Sequence, residues 1–243
     1  MRSRRRACRG FFGAAVLAAA VLLAAPPARA QDDPQLLRAV AGFFRGAEVL
    51  RVDAVPDLYE GGYARISFYA RRARVASGGL VIDEAWTRLR GVTLNVAALR
   101  QGSFRVESAR STAIYLRVSL RSLEQYFAAH AYEDIRLWSD GAALYGTGTV
   151  PLLNRPTRVE MKGAFAVEGT KDLYFQVESL RVNGFPVPAA LLRLLEKQFN
   201  PILTQQDWPV IYTFRSVRLT REEVIVSSEA DPAVCGFCAD TRP

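Results

Sequence analysis

The chain has 243 residues, of which 32 are Lys or Arg, 24 are Asp or Glu and one is His, so its formal net charge is +8 at pH 7. The single histidine, His130, leaves little material for a His-centred catalytic triad or a multi-histidine metal site. Six of the arginines and no acidic residue lie in residues 1–30, so the rest of the chain has 26 basic and 24 acidic residues. That near balance gives no support to a nucleic-acid-binding function.

Residues 1–30 have the pattern of a secretory signal peptide. Five arginines between Arg2 and Arg9 precede an apolar run from Phe11 to Ala25, and Ala28 and Ala30 match the small-x-small cleavage pattern. The run is shorter than the roughly 20 residues of a membrane-spanning helix. We therefore expect cleavage near Ala30–Gln31 and an extracytoplasmic protein, periplasmic or secreted. The domain organisation predicted is signal peptide 1–30, a single domain 31–229 and a C-terminal tail 230–243.

An amphipathic helix is predicted at the start of this domain. Pro34 suits a first helical turn, and apolar residues from Leu36 to Phe44 recur at helical spacing. Gly46 is a suitable end for it.

Period-two alternation dominates the following sequence and predicts several long strands. One face of each strand is apolar and the other polar, which is typical of an antiparallel sheet with one face in water. Turn signals separate the strands at Gly61-Gly62, Gly78-Gly79, Asp140-Gly141 and Gly169-Thr170. The alternating apolar sets are Ile66, Phe68 and Ala70; Val92, Leu94 and Val96; Phe104 and Val106; Ile114, Leu116, Val118 and Leu120; Val159, Met161, Phe165 and Val167; Leu173, Phe175 and Val177; Val217 and Leu219; and Val224 and Val226.

Two further helices interrupt the strands. Ser122 with Gln125 resembles a capping box for a helix that ends near His130. A second helix, 189–203, follows Pro188 and has an unusually wide apolar face, which predicts burial on most sides or contact with an apolar partner. The predicted fold class is therefore α+β: a long curved antiparallel sheet wrapped around an apolar helix, with short additional helices.

Cys235 and Cys238 form a Cys-Gly-Phe-Cys motif in the tail. In an oxidising compartment a structural disulfide is the favoured state. A redox pair or half of a zinc site are the alternatives. No strand–helix unit surrounds the motif, and zinc would need ligands beyond His130. We predict no metal site and no cofactor.

Catalytic patterns are scarce. There is no Gly-x-Ser-x-Gly elbow and no phosphate-binding glycine loop after a strand. Adjacent acidic pairs such as Asp83-Glu84 would point to opposite faces of a strand. The arginines near Arg71-Arg72 and Arg88 favour a solvated strand face, with contact to anionic lipid head groups as the alternative. The sequence therefore predicts a protein that is not an enzyme.

The order of elements in the C-terminal part resembles the LmeA-like family of exported bacterial phospholipid-binding proteins. In that family a strand ends in a Gly-x-Pro-x-Pro element, an apolar helix follows, and a Pro-containing turn leads into a final strand hairpin. Upstream, Val118-Ser119-Leu120 with Ser122-Leu123 is similar to the family's strand that leads into a short helix. The resemblance covers residues 36–228 and is most specific at 180–226. The matching segments are Val182-Asn183-Gly184-Phe185-Pro186-Val187-Pro188, the Leu-rich helix, Trp208-Pro209-Val210, the strand from Ile211 to Leu219, and Glu223-Val224-Ile225-Val226.

The resemblance implies lipid binding without catalysis, in a groove between a curved sheet and a helix as in tubular lipid-binding domains. The partners expected are a phospholipid or other envelope lipid and, transiently, a membrane surface; no nucleic acid is expected and no protein partner is identified. Two alternatives are an envelope structural or assembly protein that holds a protein partner by its strand edges and, ranked last, an enzyme that acts on a glycolipid. The residues expected to line the groove are Leu191, Leu194, Leu195, Phe199 and Ile202 of the helix and Ile114, Leu116, Phe165 and Phe175 of the strands, although each of these is also compatible with an ordinary core position.

Overall fold

The computed structural model describes residues 33–75, 79–129, 133–152, 155–169, 171–204 and 208–240. The predicted signal peptide and His130 lie outside the described residues. The elements are α1 (Pro34–Phe43), β1 (Phe44–Arg45), β2 (Val49–Pro56), β3 (Gly62–Val75), β4 (Val81–Leu94), α2 (Val96–Arg100), β5 (Val106–Ser119), α3 (Leu120–Ala128), β6 (Glu133–Ser139), β7 (Leu144–Leu152), β8 (Arg155–Glu168), β9 (Asp172–Val182), β10 (Phe185–Pro186), α4 (Ala189–Phe199), β11 (Ser216–Leu219), β12 (Glu223–Ser227) and a short 3-10 helix (Cys238–Asp240).

The strands form two antiparallel sheets. A seven-stranded sheet has the order β1-β3-β4-β5-β12-β11, with β2 paired along β3 next to β1, and a five-stranded sheet has the order β10-β9-β8-β7-β6. The expected α+β class, mainly antiparallel sheet with a few short helices, is confirmed. The expected single sheet is instead divided in two.

Helix α1 begins where the sequence predicts. The side chain of Asp33 caps it by accepting hydrogen bonds from the backbone N–H groups of Gln35 (2.9 Å) and Leu36 (3.2 Å). The second carboxylate oxygen of Asp33 accepts a hydrogen bond from the hydroxyl of Tyr63 at 2.9 Å. This contact fixes the start of α1 to β3.

Helix α3 begins earlier than the sequence predicts. Its cap is Ser119, whose hydroxyl oxygen accepts a hydrogen bond from the N–H of Ser122 at 3.1 Å. Asp83 of the neighbouring β4 accepts from the N–H of Ser119 (2.6 Å) and from the hydroxyl of Ser122 (2.8 Å). The predicted Ser122–Gln125 capping box is therefore wrong by three residues, because a long-range carboxylate engages Ser122.

Helix α2 is not predicted by the sequence. Val96 continues the apolar alternation of β4, but Asn95 ends the strand and caps a helix by accepting from the N–H of Ala98 at 2.8 Å. Local side-chain capping therefore overrides the alternation at this point.

The main core lies between the sheets. The apolar face of the seven-stranded sheet, with residues such as Phe68 and Leu89, packs against α1, the segment Trp208–Phe214 and one end of the five-stranded sheet. The ring of Trp208 meets Phe43 edge-on with a centroid distance of 5.2 Å. This core joins both sheets into one packed unit.

A second, smaller cluster covers the opposite face of the seven-stranded sheet. Tyr69, Trp86 and Tyr115 are buried there beneath Phe237 of the C-terminal tail. Cys235 and Cys238 form the predicted disulfide, with their Cα atoms 5.4 Å apart. The guanidinium of Arg88 lies over the Phe237 ring at 5.0 Å from its centroid. The tail is thus a cap on an aromatic patch.

The position of α4 differs from that of a helix enclosed by a sheet. It packs along the β9 edge of the five-stranded sheet, and Leu191 in its first turn is 52% exposed. A sheet wrapped around this helix is therefore not confirmed.

Candidate functional site

The inner face of the five-stranded sheet, which is turned toward the main core, carries apolar side chains or glycine at nearly every position. Residues paired across antiparallel strands share a face, so the register arranges this face in rows. From the end far from the core they are Phe185, Val182, Val159 and Gly148; Leu180, Met161, Gly146 and Leu137; Val177, Gly163, Leu144 and Ser139; Phe175 and Phe165; and Leu173 and Val167.

Burial falls toward the far end along β9 and β10. Leu173 and Phe175, at the core end, are buried, whereas Phe185 at the far end is 75% exposed. Val159, Leu180 and Val182 are half-buried and lie outside the main core cluster. We call Val159, Met161, Val177, Leu180 and Val182 the apolar floor. The floor is an apolar surface that the core only partly covers.

Large side chains on the inner face lie directly over glycines of β7 and β8. A Cβ atom at Gly146 would lie 2.7 Å from Cε of Met161, and one at Gly163 would lie 2.6 Å from Cζ of Phe175. Gly163 also follows a shift in the register between β8 and β9, as in a β-bulge. The glycines therefore leave space on the inner face that the neighbouring side chains occupy.

The segment that contains α4 closes the β9 edge. The carboxylate of Glu196 accepts a hydrogen bond from the N–H of Val177 at 2.6 Å. The side-chain amide of Asn200 bonds both the N–H and the carbonyl oxygen of Phe175, each at 2.8 Å. Beyond it, Leu203 bridges Leu173 as a short strand would. This segment forms one wall beside the apolar floor.

Helix α3 closes the opposite edge in the same way. Glu124 accepts a hydrogen bond from the N–H of Leu137 on β6 at 2.7 Å. Tyr126 and Phe127 of α3 pack against the main core. The floor thus lies between two helices, and this makes it the candidate groove.

A pocket of about 440 Å³ opens where β8 meets β11. It shares Phe165 with the inner face and is also lined by Val217, Arg218 and Arg221. Asp140 lies at its rim, where hydrogen bonds from the N–H groups of Ala143 and Ala142 and from the Tyr145 hydroxyl lower the pKa of its carboxyl to about 2. The structure therefore favours the charged form of Asp140 within its turn.

Comparison with known proteins decides the family. The family model described as LmeA-like phospholipid-binding matches residues 50–229, about three quarters of the chain. The chain belongs to the LmeA-like family. Neither a curated protein nor a solved structure gives a significant match.

The LmeA-like match covers both walls and the apolar floor. It begins within β2 and ends at Glu229, so it leaves out α1 and the disulfide-closed tail. The tail packs on the face of the seven-stranded sheet that is turned away from the core. The candidate groove is therefore made of family-matched residues.

The strand residues expected to bind lipid are divided between two places. Ile114 and Leu116 are fully buried on the seven-stranded sheet, inside the main core. Phe175 and Phe165 pair across β9 and β8 at the core end of the inner face, one row beyond the floor. The structure brings the second pair toward the groove and leaves the first pair in the core.

The helix residues expected to bind lipid are only partly described. Leu191 is exposed, and Ile202 packs against the main core next to the β9 edge. The side chains of Leu194, Leu195 and Phe199 lie outside what the structure describes. Contact of all nine expected residues with lipid stays a prediction.

Sequence reasoning missed the residues of the apolar floor. Val159 and Met161 belong to a predicted strand, and Val182 and Phe185 to the family-like element, but none of them differs in pattern from ordinary core residues. The useful signal was Asn183-Gly184, a dipeptide typical of a two-residue hairpin that folds Phe185 back beside Val182.

The remaining features of the described residues concern membranes and metals. No helix in the described ranges is long and apolar enough to cross a membrane. Within the same ranges, no group of three or more His, Cys, Asp or Glu residues is arranged to hold a metal ion.

The arginine-rich sequence forms ion pairs on the seven-stranded sheet. The guanidinium groups of Arg71 and Arg72 lie 3.7 and 3.1 Å from the carboxylate of Glu48.

Proposed function

We propose that the protein is a non-catalytic phospholipid-binding or lipid-transfer protein of the bacterial cell envelope, which holds an acyl chain on the apolar floor between α3 and α4. The observation that carries this proposal is the inner face of the five-stranded sheet. It is apolar from the buried core to the exposed Phe185, and Val159, Leu180 and Val182 in its far half lie outside the core cluster. Membership of a phospholipid-binding family supports the same ligand class.

The dimensions of the floor suit an acyl chain. Val159 and Gly163 on β8 are four residues apart, which corresponds to roughly 13 Å of strand. The hydrocarbon depth of one bilayer leaflet is roughly 15 Å, half of the bilayer's core. An acyl chain of that length lying along β8 would therefore span the floor from the row of Val159 to the row of Gly163.

The energetics explain why helical walls are needed. An acyl chain that leaves a bilayer loses about 0.8 kcal/mol for each methylene exposed to water. A protein that accepts the chain must cover it about as completely as the bilayer does. The floor supplies one side of that cover, and α3 and α4 supply the flanks.

The non-catalytic part of the proposal rests on what the nearby carboxylates do. Glu124 and Glu196 accept hydrogen bonds from edge-strand amides, and Asp140 is held within its own turn. Glu84 and Glu223 share Arg117 on the opposite face of the other sheet. These acidic groups stabilise the fold and do not form a pair facing the floor.

The extracytoplasmic location is supported by the signal-like residues 1–30 and by the disulfide between Cys235 and Cys238, which is typical of oxidising compartments. The alternative, capture of a protein partner by strand edges, has less support at the five-stranded sheet, because α3 and the α4 segment bond to its β6 and β9 edges. Co-purification of a stoichiometric protein partner without lipid would favour that alternative.

Uptake of a fluorescent phospholipid from detergent micelles tests the proposal. Leu180→Asp places a charge on the apolar floor, and Ser179→Asp places the same charge one residue away on the opposite face of β9. We expect uptake by the wild type and by Ser179→Asp, and loss of uptake in Leu180→Asp. Equal uptake by both variants, with both folded by circular dichroism, would contradict a site on the floor.

A further inference from the structure

We propose that the far end of the groove is a membrane-docking surface for anionic bilayers, made by Phe185 and Leu191 with Arg158, Arg181 and Arg193 around them. This proposal rests on the proposed lipid-binding function and adds how the protein meets its lipid source. We call these five residues the docking surface.

The apolar part of the docking surface is exposed and continuous with the floor. Phe185 is 75% exposed and Leu191 is 52% exposed. Phe185 pairs with Val182 in the row at the end of the floor. A lipid passing between a bilayer and the floor by this route would cross Phe185 first. Isolated exposed apolar residues are ordinary, but Phe185 ends the apolar row of the floor and Leu191 lies in the first turn of the helix that packs on the β9 edge.

The backbone presents Phe185 rigidly. Asn183 and Gly184 have φ angles of 49° and 82°, as the central residues of a type I′ hairpin turn require. The turn is bonded to β8, since the N–H of Asn183 donates to the carbonyl of Arg158 at 2.9 Å and its side-chain oxygen accepts from the N–H of Arg158 at 3.2 Å. The exposure of Phe185 is therefore a property of a fixed hairpin.

The charged part of the docking surface is basic. Arg158 adjoins the turn and Arg181 pairs with Pro186 across β9 and β10, both on the face of the sheet opposite to Phe185. Arg193 follows Leu191 by two residues on α4 and so lies on another side of that helix. The arginines therefore flank the exposed end of the groove from its outer sides. All three side chains are exposed. Glu160 lies 3.8 Å from Arg158 and is the cross-strand neighbour of Arg181, so the three arginines outnumber this carboxylate and the end stays basic.

This combination fits a bilayer surface with anionic lipids. Aromatic side chains favour the membrane–water interface, and the long arginine side chains on the outer face extend their guanidinium groups to the head groups when the end of the sheet meets the bilayer. Each basic residue near an anionic membrane strengthens binding by about fivefold. A protein partner is the other class of occupant for such a surface, and the vesicle experiment below separates the two.

Flotation with phosphatidylcholine vesicles, with or without phosphatidylglycerol, tests the proposal on the chain from residue 31 onward. We expect salt-sensitive binding of the wild type to the vesicles that contain phosphatidylglycerol. The double variant Phe185→Ser/Leu191→Ser should bind at least tenfold more weakly. The matched control, Leu58→Ser/Ile211→Ser, changes two other highly exposed apolar residues and should bind like the wild type.

The charge contribution is tested in the same way. Arg158→Gln/Arg181→Gln should weaken binding to anionic vesicles by more than tenfold, while Arg51→Gln/Arg90→Gln, on the exposed face of the seven-stranded sheet, should have little effect. Three results would each overturn the proposal. The first is an equal loss of binding in both arginine double variants, and the second is unchanged binding by Phe185→Ser/Leu191→Ser. The third is no binding of the wild type to anionic vesicles.

Uptake from detergent micelles separates this proposal from the proposed function. Docking variants should still take up lipid from micelles, where no bilayer is needed. If the wild type takes up no lipid from micelles but binds anionic vesicles as expected, lipid binding on the floor is overturned. The docking surface is then still supported.

Discussion

The carboxylate of Glu196 accepts a hydrogen bond from the backbone N–H of Val177 at 2.6 Å, and so a helix side chain completes the edge of a strand. Glu124 of α3 does the same for Leu137 on the opposite edge of the same sheet. The two contacts each satisfy one backbone amide at an edge of the five-stranded sheet, at β9 and at β6. They also hold the two helices on either side of the apolar floor.

Replacing the Glu196 acceptor should destabilise the fold. Glu196→Ala leaves the N–H of Val177 without its acceptor in a partly buried position, at a cost of about 1–3 kcal/mol in the free energy of unfolding. Glu196→Gln keeps an acceptor oxygen and should lose less. Urea unfolding measures both, and hydrogen exchange at Val177 should quicken in the alanine variant. Equal losses in the two variants would show that the charge of Glu196, and not its hydrogen bond, stabilises the edge.

Filling the space at Gly163 should also destabilise the protein. An added Cβ would clash with the backbone carbonyl oxygen of Gln176 and lie 2.6 Å from Cζ of Phe175, so Gly163→Ala forces a shift that costs about 1–3 kcal/mol. Gly42→Ala in α1 is the matched control, because its Cβ would meet its nearest neighbour at 3.5 Å and alanine favours a helix by about 0.5–1 kcal/mol. Thermal unfolding should move in opposite directions for the two variants. A Gly163→Ala variant as stable as the wild type would mean that the backbone at Gln176 and the ring of Phe175 both move away at little cost.

The Tyr63–Asp33 contact should make stability fall at high pH. Burial, and then the hydrogen bond to Asp33, raise the pKa of Tyr63 from 10 to about 12. The folded state therefore keeps the phenol proton more tightly than the unfolded state, so the stabilisation is complete below pH 10 and is lost as the pH rises toward 12. Urea unfolding between about pH 9 and 11, a range centred on the unfolded tyrosine pKa of about 10, measures this fall in the free energy of unfolding. Tyr63→Phe should make the fall smaller. An unchanged slope in Tyr63→Phe would contradict the assignment.

Opening the disulfide should uncover the aromatic patch beneath the tail. The short loop between Cys235 and Cys238 contributes about 2 kcal/mol in a chain-entropy treatment, and Phe237 within it covers Trp86 and Tyr115. Cys235→Ala/Cys238→Ala should lower the melting temperature and shift tryptophan emission to the red. Val234→Ala changes an exposed residue of the same tail and is the control. No spectral change in the double variant would mean that the tail stays in place without its disulfide.

Local patterns predicted the elements well. Pro34 and the spacing from Leu36 to Phe43 gave α1, because capping and amphipathicity are local. Alternation gave most of the long strands, including β3, β5 and β8. The start of α3 was missed because Asp83, 36 residues before Ser119, decides which serine caps the helix.

The division into two sheets was not predictable from the same patterns. Ile114 and Val159 have similar alternating surroundings, yet one is enclosed in the main core and the other lies on the exposed half of the inner face. The difference arises from pairing between distant segments, such as β5 with β12, whose partners Ser119 and Glu223 are about a hundred residues apart. Sequence periodicity reports which face of a strand is apolar and does not report what covers that face.

Native mass spectrometry of the chain from residue 31 onward, purified without denaturation, tests the central claim most directly. We expect the wild type and Ser179→Asp to carry a phospholipid mass that collisional activation removes, and Leu180→Asp to give the bare chain. A bare wild-type mass that remains unchanged after incubation with phospholipid micelles would contradict lipid binding on the apolar floor.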